Sequence, residues 1–198
     1  MKQTRLFKVV LLLVLIVLIV LVINILKGIN NKKKINNSKI DIIEKYNYSL
    51  KENESNYYKK LFKELKIELN KKEIDYAKYA SIISKMFLTD FFTLDNKINK
   101  NDIGGVEFIY SDYKNMFITK AKDTIYKYLE NNIYGNRTQE LPIVKEVKII
   151  NIEIKNIDNL INYYLECEII YEKDLKYQNK ANLVLVENNN KLEIISME

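Results

Sequence analysis

The sequence predicts an α+β fold: an N-terminal transmembrane helix, then helices packed on a curved antiparallel sheet. Three observations lead there. An unbroken apolar run lies near the N terminus. Between residues 54 and 130 apolar residues recur at spacings of three and four, the period of an amphipathic helix. After Pro142, the only proline, the period changes to two, as in strands. Helices first and a strand meander last is the order of an α+β domain.

Residues 9–26 read VVLLLVLIVLIVLVINIL, with Asn24 as the one polar residue. Eighteen helical residues at about 1.5 Å each span about 27 Å, close to the hydrocarbon core of a bilayer. A cleaved signal peptide needs a shorter apolar stretch and a small-residue cleavage site. The exit here is Ile25-Leu26-Lys27-Gly28-Ile29. The reading is an uncleaved signal anchor behind a basic tail at 1–8. A polar Lys/Asn-rich linker over 27–53 then leads to a domain over 54–198.

Net charge is +6, but it is unevenly divided. Residues 1–40 hold eight basic residues and no acid; the remainder hold 24 basic and 26 acidic ones. The positive excess lies beside the apolar run, so the folded part is not a basic nucleic-acid binder. Lys32, Lys33 and Lys34 are a candidate membrane-surface cluster, able to meet anionic headgroups or to remain a solvated linker. By count, flanking charge leans slightly toward a cytoplasmic domain. The short N-terminal tail, easily retained inside, argues for a single-pass protein of the cell membrane with its domain outside the cytoplasm.

Along the domain, Tyr58, Leu61, Phe62, Leu65 and Leu69 form one helical face, and Asn70-Lys71-Lys72 interrupts it. A second helix carries Tyr76, Tyr79, Ala80, Ile83, Met86, Phe87 and Phe91 across a core. TLDNKINKNDIGG reads as a loop, and VEFIY (106–110) as a short strand. A third helix starts near Ser111-Asp112, with Met116, Phe117, Ala121, Ile125 and Leu129 on its face. In IVKEVKIINIEIK (143–155) the alternation slips phase at Ile149-Ile150, which predicts a bulge. Residues 163–172 place Tyr163, Leu165, Cys167, Ile169 and Tyr171 inward and Glu166, Glu168 and Glu172 outward. ANLVLV (181–186) reads as a covered strand, and Asn188-Asn189-Asn190 as a hairpin turn into KLEIISM.

This order, with the bend at Ile149-Ile150, resembles the nuclear transport factor two-like superfamily, whose cone-shaped fold wraps a bent sheet around a long helix. With one short N-terminal anchor the chain resembles the VirB-eight-type inner-membrane components of secretion and conjugation systems. That resemblance implies an assembly scaffold outside the cytoplasmic membrane. The Asn-Pro-x-Gly turn of several such proteins is absent here.

The sequence contains no catalytic signature. Without His there is no Ser-His-Asp triad or Cys-His dyad. Asp90 and Asp95 flank Phe91-Phe92 and could form a Tyr-Asp set, but they read first as a helix-end surface residue and a turn former. Cys167 sits in strand phase as a buried small hydrophobe. Gly104-Gly105 reads as a tight turn, and DNKINKND (95–102) lacks the spacing of a calcium loop. No cofactor or metal is expected. Fifteen Tyr and no Trp point to a cleft or interface, with Phe91, Tyr126, Tyr163 and Tyr171 as candidates. The expected function is non-enzymatic interaction or assembly in the cell envelope, with protein partners or a second copy of the chain. The alternative is a module binding a small apolar ligand inside the cone.

Overall fold

A computed structural model describes residues 14–22, 38–157 and 160–198. The basic tail, Lys32–Lys34 and the ends of the apolar run lie outside them. Residues 14–22 are helical with half-exposed side chains. No helix among the described residues is long and apolar enough to cross a membrane.

The domain opens with a hairpin, β1 (Lys39–Ile43) and β2 (Tyr48–Lys51). This corrects the linker reading over residues 39–51; residues 27–37 lie outside the described residues. Tyr46, Tyr48 and Leu50 join the core, Ser49 is buried between the last two, and Asn47 takes the left-handed conformation between the strands. Helix α1 (Asn56–Leu69) follows, capped by Ser55, whose Oγ accepts from the Tyr58 N–H at 3.1 Å. It buries the apolar face read from the sequence. At its end Glu68 accepts from Lys71 Nζ at 2.8 Å and the Asp75 N–H at 3.1 Å, and pairs with Lys78 at 3.0 Å. These bonds tie the turn to helix α2 (Tyr76–Phe92). Leu88 and Phe92 are buried as well as the expected stripe from Tyr79 to Phe91, with Tyr76 half-buried, because α2 lies between α1 and the sheet.

The four-stranded sheet is antiparallel, in the order β3 (Val144–Ile157), β4 (Leu160–Tyr171), β5 (Lys180–Asn188), β6 (Lys191–Met197). The pairing of β3 with β4 shifts between Ile149 and Asn151, where the phase slip predicts a bulge. On β4, Tyr163, Leu165, Cys167 and Ile169 are buried and Glu166 is exposed. Burial pushes the Cys167 thiol up to about 12, leaving it unreactive. Asn189 and Asn190 both have positive φ, the geometry of a two-residue turn that matches strand twist.

Two other expectations change. Residues 106–110 are not a strand. Val106–Phe108 is a single 3-10 turn that drops Phe108 into the core, and Ile109 then bridges to Ile194 on β6. Helix α3 (Lys114–Asp123), preceded by a 3-10 turn at Ser111–Tyr113, ends six residues before Leu129. Thr124 leaves helical geometry, and Tyr126 swings inward to make buried hydrogen bonds.

Candidate functional site

Two neighbouring residues of α2, Asp90 and Phe91, lead to different surroundings. Asp90 is buried and is not the surface residue its place near a helix end predicts. It is ion-paired with the fully buried Lys97, and its second oxygen accepts from the Gly105 N–H at 2.7 Å. Gly104 lies so close that a Cβ there would overlap the Asp90 carbonyl. Burial works against the Asp90 charge, but Lys97, Lys51 and the Gly105 N–H hold its carboxyl below the usual range. Burial also disfavours the Lys97 ammonium, yet Asp90 and Glu54 raise it above its ordinary value.

Glu54, also buried, completes this chamber. Burial first, and the Asp90 charge second, push it up to about 7. The Asn96 amide lies 3.5 Å from its carboxylate. Glu107 is shifted up by burial while accepting from the Ser49 N–H at 3.1 Å, Ser49 Oγ at 2.8 Å and the Tyr58 hydroxyl at 3.2 Å. Arg137 closes the loop over Lys97 by donating to the carbonyls of Asp95, Lys97 and Glu130 at 2.5, 2.9 and 3.2 Å. One raised and one lowered carboxyl are the pair that acid–base chemistry requires. Asp90, Glu54 and Glu107 line neither of the two cavities described below. Asp95 is exposed in its turn. Among the described residues no three His, Cys, Asp or Glu side chains are grouped to hold a metal ion.

Phe91 faces the other way, into an open groove of about 530 Å³ between α3, the end of α2 and β6. Phe92, Ile109, Phe117, Ile125 and Met197 complete the apolar lining, with the Phe91 and Phe117 rings 5.2 Å apart. Tyr113, Met116, Lys120 and Gln178 also border the groove. Met116, read as core, is 66% exposed. A second, more polar hollow of about 290 Å³ lies over Asn151, Tyr164, Asn182 and Ser196.

Of the four aromatic candidates only Phe91 lines the groove. Tyr126 is fully buried, donating to the Phe91 carbonyl at 2.7 Å and accepting from the Gly104 N–H at 3.1 Å. It supports the groove from behind. Tyr163 is buried in the sheet core and lines neither cavity. Tyr171 is half-buried and donates to the Gln178 carbonyl at 2.6 Å, holding that segment of the groove border. Sequence reasoning missed Lys97, Glu54 and Arg137. In a chain with 32 basic residues, nothing marks Lys97 as the one that meets Asp90.

No protein family matches the chain, and no curated protein or solved structure is similar to it.

Proposed function

We propose that the chain is a membrane-anchored, non-enzymatic interaction domain of the cell envelope, whose groove between α3 and β6 receives an apolar segment of a partner protein. The open, aromatic-floored groove carries this reading. Concave sites lined mainly by apolar and aromatic side chains are the usual form of a binding site. The run at 9–26 supports a single-pass anchor, with Lys32–Lys34 at the membrane surface and the domain outside the cytoplasm. Helices followed by a bulged antiparallel sheet support a cone-shaped, nuclear transport factor two-like architecture and, with the anchor, a secretion- or conjugation-type assembly role.

A specific observation favours a second reading. The groove volume falls within the roughly 300–1,000 Å³ of small-molecule sites, so a small apolar ligand would also fit.

The test is a photoreactive side chain at Met116 of the full-length protein in cells, with Lys63 on exposed α1 surface as control. Protein adducts at 116 and not at 63 are the expected result. Small-molecule adducts alone would support the ligand reading, and no adduct specific to 116 would end both. Protease added to spheroplasts reads the topology separately: digestion is expected, and protection until lysis would place the domain inside.

A further inference from the structure

The two edges of the sheet are treated differently. The β6 edge is covered at Ile194, which bridges Ile109 and accepts from the Tyr110 N–H at 2.9 Å. The β3 edge is covered at Val147, where the Tyr57 hydroxyl donates to the carbonyl at 3.2 Å and accepts from the N–H at 3.1 Å. Past the bulge, no bond to the outer side of β3 is present among the described residues, and the strand runs on to Ile157. Here β4 residues with odd numbers bond toward β5, as Ile169 does to Asn179. Their partners Ile152, Ile154 and Asn156, opposite Leu165, Tyr163 and Ile161, therefore turn their N–H and C=O groups outward. A strand edge in this state is a template for another strand.

The side chains of this stretch fit a copy of themselves. We infer that the open edge at Ile152–Asn156 pairs antiparallel with the same edge of a second copy of this chain, about a two-fold axis at Ile154. In that register all outward backbone groups meet outward groups: Ile154 faces its own copy, and Ile152 faces Asn156. Glu153 of each copy lies opposite Lys155 of the other. Those two side chains project from the face opposite Ile154, where they now pair with each other at 2.9 Å. Ile154 and Ile161, 52% and 43% exposed on the helix-covered side of the sheet, extend into one apolar strip across the axis. A strand partner of another sequence would have to supply the opposite charges; a second copy carries them already. This surface is separate from the α3–β6 groove, so the inference goes beyond the groove reading and neither depends on the other.

The test uses the full-length chain in detergent. Ile154→Cys should give a disulfide-linked dimer on mild oxidation, since directly opposed residues of a bonded pair lie about 5.5 Å apart between Cα atoms. Glu153→Cys should not, because its own copy is displaced by two residues. The one native thiol, Cys167, is buried and does not compete. Glu153→Lys or Lys155→Glu alone should weaken dimerisation about tenfold by light scattering, and the double exchange should restore it. Equal crosslinking at 153 and 154, a monomer at all concentrations, or no rescue by the double exchange would overturn the inference. Circular dichroism of each variant shows whether it is folded, and these positions are exposed enough to change without loss of the core.

Discussion

Asp90 and Phe91 are adjacent on α2, yet one closes the molecule and the other opens it. The Asp90 chamber is polar, sealed and internally bonded: ammonium, carboxylate and glycine N–H groups answer one another. The groove at Phe91 is apolar and unfilled. A buried ion pair contributes little net stability, but its removal by halves is costly, because the remaining charge stays buried without a partner. An open apolar groove is the reverse. Its rim contributes little to folding and is available for binding. The perturbed carboxyls are accounted for by burial and by their buried partners.

The largest expected effect is in the chamber. Asp90→Ala should lower stability by about 3–5 kcal/mol in urea denaturation, by leaving Lys97 unpaired. Asp90→Leu with Lys97→Met should recover most of that loss. If the single and double variants lose equally, the ion pair is not what holds the loop.

Gly104→Ala should come next. Its Cβ would meet the Asp90 carbonyl and force α2 from the 104–105 turn, at about 1–3 kcal/mol. A thermal midpoint unchanged from the parent chain would show that the close approach is dispensable.

Glu54 links the chamber to pH. Unfolded, it titrates near 4.5; folded, near 7. Between these values the folded state holds a proton that the unfolded state releases, so stability from this group falls as pH rises through that window. Glu54→Gln should flatten the fall by roughly 1–3 kcal/mol between pH 5 and pH 8. Parallel pH profiles for parent and variant would remove Glu54 as the cause.

The smallest effect on folding belongs to the groove. Met116→Glu should change stability by no more than about 0.5 kcal/mol, because the side chain is exposed, while abolishing adducts formed from a photoreactive group at Tyr113. Adducts that survive the charge would place the binding surface elsewhere.

Local patterns in the chain determine much of this. Periodicity by itself sets both long helices and the four strands, since each has a face of apolar residues that must be buried together. The bulge at Ile149-Ile150 and the Asn189-Asn190 turn are legible because a slipped alternation and paired Asn residues have direct backbone consequences. The Tyr46-Tyr48-Leu50 alternation of the first hairpin was also present, hidden among Asn and Lys that resembled a linker.

Tertiary structure decided the rest. That Lys97 meets Asp90 depends on how a loop closes, and seven residues of spacing do not encode it. That Tyr126 leaves the third helix depends on bonds to Gly104 and Phe91, which the helical pattern through Leu129 cannot foresee. Whether an aromatic residue lines a groove or a core depends on what packs above it. Tyr163 and Phe91 are both buried and belong to equally regular apolar stripes, yet only Phe91 lies against the groove. Periodicity assigns a side chain to a face of its element; only the packing of other elements decides whether that face is closed.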